Sequence, residues 1–162
     1  PGGYANKHGY LVNSGKHTWW NPAWSLGYSK RSGAGNGVTP GPTPALFTIG
    51  TEQTGGLTKC RVSSMTELKT GTWYHLVATY DGKAAKLYLD GKLEGETAYT
   101  GKLRRDAAPL LLGGGKLGGT GFGNHFTTDA TIDNFRFYSR ALSAGEVRLL
   151  HQHEARQPEP AR

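Results

Sequence analysis

The most concentrated chemistry in the chain is aromatic: Trp19, Trp20, Trp24 and Tyr28 fall in one short stretch. Flat rings stack on the apolar faces of sugars, and polar side chains nearby can bond the hydroxyls, so these four are the candidate ligand-binding residues for a polysaccharide or glycan. The competing reading is that the same rings fill a core or cover a sheet edge. Trp73, at the head of an alternating segment, is expected in the core. Glu94 and Glu96 form the closest acidic pair. Glycoside hydrolysis needs two carboxylates at a controlled separation. This pair follows an Asp-Gly turn, where glutamates are normally solvated. His151 and His153 are two apart, which is not the spacing of a helical zinc pair. His75, inside a predicted strand, reads as structural. The glycine runs 113–116 and 118–121 lack Walker spacing and read as a rim loop. Cys60 is the only cysteine, which excludes an intrachain disulfide and a cysteine-based zinc site; it reads as a small buried hydrophobe. No nucleophile motif is present, so no catalytic residue is expected and the protein is not expected to be an enzyme.

The elements that position these residues are predicted to be short strands. Gly9 to Val12, Ala45 to Gly50 and Cys60 to Ser64 read as strands, with a long surface loop between Ser29 and Pro44. Pro22 argues against a central strand in the Trp-rich stretch. Trp73 to Tyr80 alternates with apolar residues on both faces, as a strand covered on both sides does. Asp81-Gly82 and Asp90-Gly91 frame Ala85 to Leu89 and signal type I′ hairpin turns, hence an antiparallel meander continuing through Leu93 to Thr97. Pro109 to Gly113 reads as a buried strand, Gly113 to Asn124 as a loop, and Ala130 to Tyr138 as a long strand. Ser143 and Glu146 fit a capping box, with a short helix following through Leu150. The last residues, 155–162, read as a tail or linker.

Composition agrees with one all-β domain. The chain has 162 residues, 36% hydrophobic, with 25 glycines. Its net charge of +7 reads first as a device for solubility and secondarily favours anionic partners. Lys and Arg are spread along the chain without a basic run, so nucleic acid is not an expected partner. No apolar run is long enough for membrane insertion. No signal peptide is present, and an upstream segment carrying one is expected to be missing.

Four blocks resemble the laminin-G-like domains of the concanavalin A-like lectin/glucanase superfamily. Gly71 to Gly82 is similar to the pattern GTWHHVAATYDG, Leu87 to Gly91 to LYVDG, Pro109 to Gly113 to PLXIG, and Ile132 to Val147 to IDDVRIYNRALSAAEI. The resemblance implies an all-β, two-sheet antiparallel jelly-roll sandwich with a short C-terminal helix, spanning residues 1–154. It implies a non-catalytic carbohydrate-binding or adhesion module of a larger secreted protein, located outside the cell or at its surface. A structural or protein-interaction module without a sugar site is the alternative, and a glycoside hydrolase is disfavoured because the glucanases' E-x-D-x-x-E strand motif is absent. From the same resemblance, Asp133 is the candidate ligand for a structural calcium ion, with Asp129 as a second; calcium takes several oxygen ligands. The family's opening strand, of FTVEAWV type, has no counterpart here, and a sheet lacking that strand is expected to expose an unpaired edge.

Overall fold

The computed structural model describes residues 8–14, 23–29, 43–51, 59–104, 109–116, 125–128 and 130–155. They form an antiparallel sandwich of two unequal sheets with one helix on its outer face. The wider sheet has the order β4-β3-β2-β1-β8, from β1 (His8–Ser14), β2 (Trp24–Ser29), β3 (Pro44–Gly50), β4 (Lys59–Glu67) and β8 (Leu110–Leu112). The narrower sheet has the order β5-β6-β7, from β5 (Leu76–Tyr80), β6 (Ala84–Leu89) and β7 (Lys92–Ala98). A small ribbon pairs β9 (Gly114–Lys116) with β10 (His125–Thr127). Helix α1 covers Ala144–Glu154.

Register fixes which side chains meet. Trp24, Leu26 and Tyr28 stand opposite Ile49, Phe47 and Ala45, and Cys60 and Val62 stand opposite Ile49 and Phe47. Because side chains alternate along a strand, all of these share one face. Ala45, Phe47, Ile49, Cys60 and Val62 bury that face against Ala85 and Leu87 of β6. Cys60 is buried, as its sequence context suggests, and desolvation raises its thiol pKa. The opposite face of β6 offers Tyr88, which joins Leu142 and Val147 in a second cluster, with Val77 and Leu150 packed against it. Strand β5 is thus covered from both sides.

The turns follow the sequence with one difference. Asp90 and Gly91 both adopt positive φ, 50° and 76°, as a type I′ turn requires. At Asp81-Gly82 only the glycine does so, and the loop is longer. Oδ1 of Asp81 accepts from the backbone N–H of Lys83 and of Ala84, each at 2.8 Å. Those bonds close the loop through the side chain and hold the carboxyl below its usual pKa.

Five expectations need correction. The Trp-rich stretch does contain a central strand: β2 begins at Trp24, two residues past Pro22, and is the middle of the five. Trp73 is 46% exposed, since the pairing with β6 starts only at Leu76 and leaves it outside the core. Leu110 and Leu112 are exposed although β8 is a strand. Their partners Ser14 and Val12 place them on the inner face, beyond the reach of the narrower sheet. Residues 130–138 form no strand and are exposed throughout. Asn134 sits at φ 51° and interrupts the pleat, and Oδ1 of Asp133 accepts from its N–H at 2.7 Å. Without a ladder partner among the described residues, the backbone there has no sheet to join. The expected rim loop after Gly113 also begins with β9.

The two sheets meet tightly where Gly95 of β7 lies against Val62 and Ser63 of β4. A Cβ on Gly95 would lie 2.6 Å from the carbonyl oxygen of Ser63 and 2.7 Å from Cγ1 of Val62. Gly95→Ala is therefore expected to destabilise the fold by about 1–3 kcal/mol, the usual range for overpacking. Urea unfolding followed by tryptophan fluorescence measures it; an unchanged midpoint would show that the sheets separate freely at this crossing.

Candidate functional site

Helix α1 and the segment leading into it enclose an open groove of about 560 Å³. Local chemistry builds its first wall. Ser143 caps the helix: its Oγ accepts from the N–H of Glu146 at 3.3 Å, while the Glu146 carboxylate accepts from the Ser143 N–H at 2.7 Å. That is the reciprocal box read from the sequence. The same carboxylate takes a two-pronged bond from Arg140, at 3.1 and 2.6 Å. With so many donors on one carboxylate, the Glu146 pKa is held down to about 2, Arg140 being the largest cause. Glu146 is thus a fixed anion, and Arg140 is locked flat beside it.

Leu142 and Leu150 line the apolar side of the groove, and Leu149, Gln152 and His153 complete the helical wall. Tyr138 closes the opposite side. Its neighbour Phe137 stacks on Trp24, with ring centroids 5.5 Å apart and planes 24° from parallel. This stack anchors residues 130–138 to the inner face of the wide sheet. Phe137 itself stays 67% exposed.

The residues singled out in the sequence are not gathered here. Trp19 and Trp20 lie outside the described residues, as does Asp129. Trp24 is half-buried, packed against the core and stacked on Phe137, while Tyr28 is half-buried in β2. Asp133 is exposed and already accepts from Asn134. No group of three metal-ligating side chains occurs among the described residues. Asp133 alone offers calcium one carboxylate, which does not make a coordination shell.

Both members of the acidic pair are engaged. Glu94 accepts from the N–H groups of Met65 and Thr66 at 3.0 and 2.7 Å, and from the Thr66 hydroxyl at 3.0 Å. Glu96 pairs with Lys86 across the strands at 3.1 Å. Glu94 thus stitches β7 to the end of β4. The groove itself escaped sequence reasoning. The capping box located the helix, but no local motif marks a cleft that forms between Tyr138 and a helix turn well downstream.

Comparison with family models agrees with this architecture. The model of the laminin G-like family described as the concanavalin A-like lectin/glucanases superfamily matches residues 12–148. Among solved structures, the chain is similar to an S-layer domain-containing protein (residues 221–444) from Clostridium thermocellum ATCC 27405, at 22% identity and a TM-score of 0.43. That match covers 78% of this chain and 56% of the other, so the chain spans a little over half the length of that relative. A search of curated proteins found no match.

The cap yields two expectations. Ser143→Ala removes the N-terminal bond and is expected to cost about 1 kcal/mol, read by thermal unfolding. Because the Glu146 pKa is depressed from 4.5 to about 2, its contribution is complete above pH 4.5 and is lost as pH falls toward 2. Far-UV circular dichroism across that window should show the helix loosening in acid, and Glu146→Gln should remove that component.

Proposed function

This chain belongs to the laminin G-like family of the concanavalin A-like lectin/glucanases superfamily, and from that premise we propose that it is a non-catalytic carbohydrate-binding module of a larger secreted or cell-surface protein. The observation that carries the reading is the groove beside α1. It pairs one exposed aromatic ring, Tyr138, with the planar guanidinium of Arg140, the amide of Gln152 and the imidazole of His153. An apolar ring face beside hydrogen-bonding groups, of which Arg140 is held in place by Glu146, matches the alternating apolar and hydroxyl surfaces of a sugar. The groove is open, which suits a chain or a branched glycan more than a small enclosed ligand.

The non-catalytic part of the proposal rests on the carboxylates. Glu94 and Glu96 are committed to strand contacts, and Glu146, with its pKa held down to about 2, is tied to Arg140 as an anion. General acid catalysis needs a carboxyl that holds its proton near the working pH. Glu146, held down to about 2, does not meet that need, and Glu94 and Glu96 are occupied by their strand partners. Among the described residues no helix is long and apolar enough to cross a membrane. A calcium requirement is carried as a separate arm of the test, since Asp133 by itself does not form a site.

A glycan and polysaccharide array, run with calcium and with chelator, tests the proposal. Binding is expected to fall roughly tenfold or more in Tyr138→Ala and in Gln152→Ala, as loss of one stacking or bonding group in a small site does. Loss of binding in Trp19→Ala or Trp20→Ala, with Tyr138→Ala unaffected, would move the site to the Trp-rich stretch. Loss with chelator would implicate Asp133 and Asp129. No binding in either condition would overturn the sugar reading in favour of a structural or protein-interaction module.

A further inference from the structure

The second place where the helix meets the sheet is built from histidines. The backbone of His75 is pinned: its N–H donates to Oδ1 of Asp90 at 2.8 Å, and its carbonyl accepts from the Asp90 N–H at 2.9 Å. The imidazole therefore has a fixed root. Its Nε2 stands 3.4 Å from Oε2 of Glu154 in the last turn of α1. Its ring lies 5.5 Å from the ring of His151, one turn earlier on the helix. Nδ1 is buried and finds no hydrogen-bond partner among the described residues. His151 in turn leans on the turn at Gly91, where a Cβ would come within 3.3 Å of it.

We infer that the His75–His151 pair is an acid-sensitive latch that holds the C-terminal turns of helix α1 to the narrower sheet at neutral pH and releases them on acidification. A neutral imidazole has one N–H and one bare nitrogen. With Nε2 directed at Glu154, the bare nitrogen is Nδ1, and protonation there places an N–H in a dry site with nothing to accept it. It also sets a cation against the His151 ring. The groups facing His75 are Glu154 and His151 from the helix, Asp90 from the β6–β7 turn, and Arg136 from the segment preceding the helix. Glu154 is already bonded to Arg136, so its charge is shared. A protonated His75 would stand beside Arg136, which already occupies the Glu154 carboxylate that would otherwise balance it. The last turns of α1 also carry Gln152 and His153, one wall of the groove, so acid would open that wall whatever the groove holds.

The sign follows from burial. Desolvation is the largest cause and lowers the His75 pKa below 6.5, with Glu154 opposing it. A base disfavoured as a cation in the folded state contributes full stability above pH 6.5 and loses it as pH falls below that value.

Hydrogen exchange of the whole chain, corrected for intrinsic rates, tests the latch. Protection of amides 150–155 is expected to drop roughly tenfold between about pH 7.5 and about pH 5, while β6 amides stay protected; one proton linked across one pH unit gives a change of that order. His75→Leu and His151→Ala should each flatten the pH dependence. Unchanged wild-type protection, or a dependence that persists in both variants, overturns the proposal. Should His75→Leu fold poorly, an NMR titration of the wild-type rings decides instead. His75 titrating below 6.5 supports the latch, and titration at or above that value overturns it.

Discussion

Strand β6 closes both cores of the molecule. Successive side chains of a strand point to opposite faces, and here Leu87 enters the sandwich while Tyr88 enters the layer beneath α1. Ala85 joins Leu87 against Phe47, Ile49, Cys60 and Val62. Tyr88 receives Val147 and Leu142. The helix, the groove it bounds and the histidine contact at its end all depend on one strand being apolar on two sides. Its neighbours are placed by the turn at Asp81, which the aspartate side chain closes, and by the turn at Asp90, whose carboxylate accepts from the His75 N–H just before β5.

The inequality of the two sheets governs most of the remaining surface. Five strands present an inner face that three strands cover only in part. Leu110 and Leu112 on β8 are left open, and Phe137 reaches the same inner side to stack on Trp24 from a segment with no ladder of its own. The Trp24–Phe137 stack and the Arg136–Glu154 pair tie that segment to the sheet and to the helix. Strand β5, at the margin of the narrower sheet, pairs on one side only among the described residues.

Local chemistry was legible in the sequence, and relationships between distant segments were not. The alternation in residues 76–80 and 84–89, the Asp90-Gly91 turn and the Ser143–Glu146 box each use neighbours a few positions apart, so a linear reading recovers them. The resemblance in four blocks located the fold class. Trp73 was misplaced because alternation identifies a strand without showing where its pairing stops. Residues 130–138 were misplaced because a strand-like pattern needs a partner, and patterning does not reveal whether one is adjacent. The groove was invisible for a related reason: Tyr138 gains meaning only once α1 folds back across the sheet.

The lone thiol gives the sandwich a built-in clock. Cys60 projects from β4 between Ile49 and the β6 side chains, with 4% of its surface accessible, and burial keeps it protonated and unreactive. Alkylating reagents reach it only when the two sheets part. Because the chain has no second cysteine, every modification event counts one opening of that interface. The rate at which the protein takes up label in solution is thus a direct record of how often its core breathes, separate from any motion of the helix outside it.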